Sequence, residues 1–319
     1  MYVQDANSTH ISGNMQDSAY RTPDAGMRGG TKCAFMATIH NKPEQVNIFF
    51  RQLIRNENNV VYVHIDRKVR ADLEPQILIH PRVKIMEESL WIEWGDDSVF
   101  RAQLLMLKQA VADGMEYFTF VSGQDLVIKE DINAFIDAHR DEIFEDCEPA
   151  DDWGRMFLEH TWHPKMMKLY NKKLSFYRIL RRLQIEMIRH GLHVHEKQID
   201  REAKGDMQYY HSFFGQSFPR DFALYALEEI EKDYMQEIFF GGMEPVEYFW
   251  PTLIYNSEFA ARARTRRKSV YSNTFENNHP VILRMKDVKR LDAMPYLFAR
   301  KFDMAVDEEV VRYYGEKCY

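Results

Sequence analysis

The sequence predicts an α/β fold, a doubly wound and mostly parallel sheet flanked by helices, on three observations. Short runs rich in β-branched and aromatic residues alternate with stretches of helical periodicity. Those runs are apolar almost throughout rather than at every second residue, the mark of strands buried on both faces. No repeat, low-complexity tract or linker interrupts the chain after residue 31, so 32–319 reads as a single domain.

Lys32 to Ile39 (KCAFMATI) and Val60 to Ile65 (VVYVHI) are the first two strands. Between them, Pro43 to Arg55 carries Val46, Phe49, Phe50, Leu53 and Ile54 at helical spacing. Pro43 stands near its start, where a missing N–H is harmless. Val83 to Met86 is a third strand. Ser98 to Ala112 is a helix with Val99, Ala102, Leu105, Met106 and Ala110 on one face and Ser98 as its N-cap. Tyr117 to Val121 is a fourth strand, which completes the alternation of a doubly wound sheet. Further on, a helix is expected from Val246 to Ser257, kinked at Pro251 because proline removes a backbone donor. Lys165 to His190 reads as a basic amphipathic helix: Lys165, Lys168, Lys172, Lys173, Arg178, Arg181, Arg182 and Arg189 are interleaved with apolar residues. Either it packs its apolar face on the domain, or it meets an anionic glycan or a membrane surface.

Composition narrows the class. With 319 residues, 45% of them hydrophobic, the chain can bury a full core. A net charge of −7 argues against nucleic acid as a partner. Cys33, Cys147 and Cys318 are far apart and odd in number, so neither a disulfide framework nor a zinc site is indicated, and a reducing compartment follows. No apolar run approaches the roughly 18 residues of a membrane span. Residues 1–31 lack the basic start and apolar stretch of a signal peptide and read as a disordered tail or appended remnant, with Met27 as an alternative start. Asn7-Ser8-Thr9 is a glycosylation triplet without meaning in a cytoplasm. A cytoplasmic protein, in contact with the inner face of a membrane if the basic helix docks there, is the expectation.

Thr38-Ile39-His40-Asn41-Lys42-Pro43 stands where a dinucleotide-binding dehydrogenase would carry Gly-x-Gly-x-x-Gly, which argues against that class. Phe298-Ala299-Arg300-Lys301-Phe302-Asp303 holds an Arg-Lys pair between two phenylalanines, a way to fix positive charge by burying the anchors on either side. Fixed positive charge is what a diphosphate leaving group needs. Ile39-His40, Val63-His64-Ile65-Asp66, Trp94-Gly95 with Ser98, Val121-Ser122-Gly123-Gln124-Asp125, Pro245-Val246-Glu247-Tyr248-Phe249-Trp250 with Asn256-Ser257, His279-Pro280 and Asp287 precede it in that order. Together, over roughly residues 32 to 305, these motifs resemble the core-2/I-branching β-1,6-N-acetylglucosaminyltransferase and peptide-O-xylosyltransferase family, glycosyltransferase family 14, in a bacterial-type member.

The resemblance implies a GT-A-type glycosyltransferase fold and an inverting, metal-independent transferase. The donor would be a UDP-sugar, UDP-N-acetylglucosamine first and UDP-xylose second, and the acceptor a glycan or glycolipid of a surface polysaccharide. It implies Glu247 as catalytic base, Asp66 and Ile39 beside the uridine, and Arg300 and Lys301 on the diphosphate. Val246 stands where many relatives have an acid, and Glu244 is the neighbour that compensates if any does. Asp125 either contacts the donor or caps the next helix. His279 lies where some relatives present a basic residue. The residues themselves support a metal-free site: His64-Ile65-Asp66-Arg67-Lys68 offers one acid among bases, a poor cage for a hard cation. Asp96-Asp97 and Asp151-Asp152 are the remaining acidic doublets. Trp91, Trp94, Trp153 and Trp162 are candidates to stack on sugars, with core burial the alternative. The rival function is a non-catalytic glycan- or nucleotide-sugar-binding protein on the same fold.

Overall fold

The computed structural model describes residues 30–145, 147–168, 175–212, 215–263, 270–272, 275–276 and 279–317. Met27, the Asn7 triplet, Lys172, Lys173 and Cys318 lie outside the described residues. Thr31, assigned above to the tail, is buried and donates its N–H to Asp137 Oδ1 at 2.8 Å.

The strands are β1 (Cys33–Ile39), β2 (Asn59–Ile65), β3 (Val83–Ile85), β4 (Tyr117–Ser122), β5 (Leu126–Val127), β6 (Cys147–Pro149), β7 (Tyr210–Ser212), β8 (Ser217–Pro219), β9 (Val270–Ser272), β10 (Phe275–Glu276), β11 (His279–Pro280) and β12 (Phe298–Arg300). The central sheet runs β3-β2-β1-β4-β8, parallel except for β8 at its edge. All four predicted strands are present within a residue or so of their expected bounds. Chain order moves from β1 outward to β2 and β3, then returns to place β4 on the other side of β1. The order therefore reverses between β1 and β4, where open α/β sheets bind ligands.

Alternation along β1 divides the core. Cys33, Phe35, Ala37 and Ile39 face the helix Pro43–Leu53 and its Val46, Phe49, Phe50 and Leu53, whereas Ala34 and Met36 face the helix Ser98–Ala112 through Phe100, Leu104 and Leu107. The second helix starts where expected, but its cap differs. Asp97 is the capping position, and Asp96 Oδ1 accepts the Ser98 N–H at 2.8 Å. The two helices cover opposite faces, which is what continuous apolar strands require.

β12 pairs antiparallel with β5 and parallel with β9. Both phenylalanines of the closing motif are fully buried. Phe298 packs edge-on against Phe35 and Phe49 at 5.9 and 6.2 Å, and Phe302 against Tyr314 at 5.8 Å. The Gln45 amide joins three chain segments, donating to Gly123 O at 3.3 Å and Phe302 O at 3.1 Å while accepting from Met304 N–H at 2.8 Å.

At the end of β4, Gly123 has no room for a side chain. A Cβ there would lie 2.9 Å from Val46 Cγ2 and 3.2 Å from Ile39 Cγ2. Gly123→Ala is therefore expected to lower stability by about 1–3 kcal/mol through overpacking, measured by urea unfolding. An unchanged midpoint would show that the sheet and the Pro43–Leu53 helix can part without cost.

Candidate active site

The β1–β2 and β1–β4 registers align Ile39 with Ile65 and Thr38 with Ser122, so His40, Asp66 and the Gly123–Asp125 turn emerge side by side at the carboxyl edge. Asp66 is buried; its Oδ1 accepts from the Lys68 N–H at 3.0 Å and the Ile92 N–H at 3.3 Å, and Oδ2 lies 3.3 Å from Lys68 Nζ. Ile39 is also buried, with its side chain under Gly123 and its carbonyl accepting the Asp66 N–H at 3.0 Å. Asp125 has no exposure, and it caps no helix: Asp131 caps the next one. Its carboxylate accepts from the Ser122 N–H at 2.7 Å and Oγ at 2.9 Å, and Arg300 Nε lies 3.4 Å away.

The cations gather on this edge. Lys42 pairs with Asp303 at 2.5 Å, and Arg300 with Asp125. Lys301 has no ion-pair partner among the described residues. Burial, then the charges of Arg300 and Lys42, lower its ammonium below the usual lysine range. His40 is lowered likewise, by burial first and by Lys301 next. Such crowding is relieved by an anion. Two unit charges about 4 Å apart near a protein surface repel by about 4 kcal/mol. The two buried phenylalanines flanking the pair contribute roughly 1.5–3 kcal/mol each, enough to hold it in place.

Glu247 lies three residues past Glu244, on another part of the chain. It lies on a short 3₁₀ turn, Pro245–Glu247, and the α-helix begins only at Phe249. The expected single helix from Val246 is thus broken before it starts. Pro251 then falls in the first turn of Phe249–Tyr255, where its absent N–H needs no partner, so the expected kink does not arise. Glu247 Oε2 is 3.0 Å from His211 Nε2. Glu244, in the left-handed region at φ 53°, stands beside them. Burial, then the charge of Glu247, pushes the Glu244 carboxyl up to about 8. Burial works to lower His211, but the hydrogen bond and charge of Glu247 outweigh it and raise the imidazole.

His211 is the functional residue the sequence did not reveal. It sits on β7, opposite Glu148 of β6, and Thr252 of the Phe249–Tyr255 helix clips β7 by accepting the Tyr210 N–H at 2.9 Å. Its signal, one histidine after two tyrosines, has no periodicity. Tyr248 packs on the His211 ring at 5.0 Å and closely against Gly154, where a Cβ would come within 2.6 Å of the ring.

The strap from Ser89 to Gly95 joins the two ends. Ser89 Oγ donates to Ile65 O, the Leu90 N–H to His64 Nε2, and the Ile92 N–H to Asp66, while Gly95 O accepts the Glu244 N–H at 2.9 Å. Burial holds His64 near pKa 4, so its neutral ring can accept. Two residues, Glu93 and Trp94, separate Ile92 from Gly95, which places Asp66 and the Glu244 backbone under roughly 20 Å apart. Trp91 and Trp94 stand on this strap, each about half exposed; Trp153 is half-buried and Trp162 buried.

The acidic doublets have other work. Asp97 accepts from the Gly241 N–H at 3.1 Å and pairs with Arg101, and Asp151 caps Asp152–Glu159 by accepting the Gly154 N–H at 3.0 Å. Among the described residues no three His, Cys, Asp or Glu side chains converge as metal ligands. The His279 backbone lies in β11; its side chain is outside the described residues. No described helix is long and apolar enough to cross a membrane.

No family model matches the chain, and no curated protein matches it. Among solved structures, it is similar to mouse xyloside xylosyltransferase 1 in its apo form, with TM-score 0.36 and 7% identity over 83% of this chain and 96% of that one. It is also similar to mannose-1-phosphate geranyltransferase from Thermus thermophilus, with TM-score 0.27 and 10% identity over 64% and 67% of the two chains.

The Glu244 carboxyl gives a test of this geometry that needs no substrate. Its folded-state pKa, about 8, lies above the ordinary value of 4.5, so the folded state holds the extra proton between those values. Stability from this group is full below the unfolded pKa and is lost as pH rises through the folded one. Glu244→Gln should match the wild type near pH 4.5 and be more stable than it at pH 9. Parallel unfolding curves at both pH values would mean that Glu244 is not crowded as described.

Proposed function

We propose that the protein is an inverting, metal-independent glycosyltransferase of GT-A type, with one catalytic domain over 32–319. It transfers a sugar from a UDP-sugar to a hydroxyl of an acceptor glycan in surface polysaccharide synthesis. The observation that carries this reading is one short strap, Ser89 to Gly95, that ties Asp66, beside the cationic edge with Lys301, to the backbone of Glu244, three residues before Glu247 and its 3.0 Å hydrogen bond to His211. A base at one end and fixed positive charge at the other suit displacement at a carbon bearing a diphosphate. N-acetylglucosamine is the first candidate sugar and xylose the second, on the order of the sequence motifs.

The acceptor hydroxyl gives its proton to Glu247 as its oxygen bonds to the anomeric carbon. The bond from that carbon to the diphosphate oxygen breaks on the opposite face, which inverts the centre. UDP leaves with the electron pair, and its charge meets Lys301 and Arg300, already held by Phe298, Phe302 and Asp125. His211 fixes one oxygen of Glu247, while the other, Oε1, has no protein partner among the described residues. Glu244, crowded by burial and by Glu247, stays protonated below about pH 8. Asp66 and Ile39 flank the nucleoside end, and Trp91 and Trp94 offer faces for a sugar.

Glu247→Gln should lower transfer by roughly two to four orders of magnitude with UDP binding retained; the wild-type rate should be unchanged in EDTA. A variant keeping more than about a tenth of the rate would remove Glu247 as the base, and loss in EDTA with recovery on Mn²⁺ would overturn the metal-free reading. No turnover of any UDP-sugar by a protein that binds UDP would favour the binding-protein alternative.

Lys301→Ala should reduce turnover about a hundredfold, equivalent to about 3 kcal/mol at a developing charge. It should also abolish the rise in melting temperature that UDP gives the wild type. Lys289→Ala, at an exposed residue, is the control. Equal turnover in the two variants would return Lys301 to an ordinary surface role.

A further inference from the structure

The helix Phe176–Arg189 carries apolar residues on two faces: Ile185 is buried, with Ile188 packed beside it, in a cluster with Met156, Trp162 and Met243, and a second apolar set faces outward. Its buried residues are Arg181, Gln184 and Ile185, whereas Phe176, Ile179 and Leu183 are 68%, 64% and 53% exposed. Those three, at spacings of three and four, form one stripe. Polar contacts join Ile185 on the inner face: Gln184 Nε2 donates to Thr161 O at 3.1 Å, and Arg181 lies in the field of Glu244. Leu192, just past the helix, extends the exposed apolar surface.

Charge surrounds the stripe. Arg182 and Arg189 are exposed on its flank, and Lys165, also exposed, sits over the Tyr177 ring at 5.5 Å. Glu186 is the one acid in the stretch and pairs with Arg189 at 3.2 Å. Arg189 also lies over the Trp153 ring at 4.2 Å. From Lys165 to His190 there are eight Lys or Arg and one Glu, a local charge of +7 in a chain whose total is −7. The surface complementary to this face is apolar at depth and anionic at its rim, and it repels the rest of the molecule.

We propose that the helix Phe176–Arg189 docks the protein on an anionic lipid bilayer. Phe176, Ile179 and Leu183 enter the head-group region, and Arg182 and Lys165 meet lipid phosphates. Because Arg181 reaches inward from the same helix towards Glu244, an acceptor anchored in that bilayer meets the carboxylate end of the site. That extension rests on the transfer reaction proposed above; the docking itself does not.

Vesicle flotation with the full chain tests the docking without any assay of transfer. Vesicles of phosphatidylcholine with phosphatidylglycerol should carry the protein at about 0.1 M salt and release it near 1 M, where screening shortens from about 10 to about 3 Å. Pure phosphatidylcholine vesicles should carry little. An Ile179→Asp, Leu183→Asp double variant should bind at least about tenfold less, with an unchanged melting temperature because both positions are exposed. Wild-type protein left unbound, or equal binding by the double variant, would overturn the proposal. So would a wild-type dimer, unbound to vesicles, that the variant converts to a monomer; the stripe would then be an interface between copies.

Discussion

Asp125 is a carboxylate with no exposure to solvent, and a group of that kind needs hydrogen bonds and a cation around it. Two donors come from Ser122, one turn of chain away, but the cation comes from Arg300 at the other end of the sequence. The pairing of β12 with β5 leads to the same juxtaposition, since Ala299 opposes Leu126 and the next pair outward is Arg300 with Asp125. Phe298 and Phe302, buried on either side, make the placement rigid. Lys301 then has nowhere to go but the carboxyl edge of the sheet, next to Lys42 and His40. One buried acid thereby decides where the cationic end of the site lies.

The other end is organised by proton sharing rather than by burial of a single charge. Glu244, Glu247 and His211 cannot all carry their ordinary charges so close together. The outcome is one raised carboxyl, Glu244, and one raised imidazole, His211, both in the field of Glu247. Glu244 is held by its backbone to Gly95, and His211 by strand pairing and the Thr252 clip, so neither can swing away to relieve the crowding. The field is thus of opposite sign at the two ends of one strap.

The sequence was most legible where burial decides structure. The runs around Phe35, Val61 and Phe118 name their own strands because both faces of a parallel sheet are covered. The stripe Val46, Phe49, Phe50, Leu53 names its helix for the same reason. The anchors Phe298 and Phe302 were readable as anchors. Less legible were places decided by polar contacts between distant segments. Gln45 and Gln52, two helical turns apart and both buried, could have signalled backbone ties on that face, but a glutamine alone does not say which carbonyls it will meet. His211 depends on a β6–β7 pairing of three residues per strand, too short to carry a pattern. The Phe176–Arg189 helix was readable as amphipathic but not in its orientation, because its apolar residues lie on two faces and the choice between them depends on Thr161, Glu244 and the Met156–Trp162 cluster, all outside the helix. At Pro251 the reading failed by a few residues of helix start, enough to turn an expected kink into an ordinary first turn.

The Gln45 amide spans 257 positions to reach Phe302. Loops of that length close against a steady entropic resistance, and contacts that close them form late. The five-stranded sheet draws on strands up to Pro219 and is not built from β12. A contact spanning nearly the whole chain thus holds the strand that carries the cations, and the positive pole is complete only when the two ends of the sequence have met.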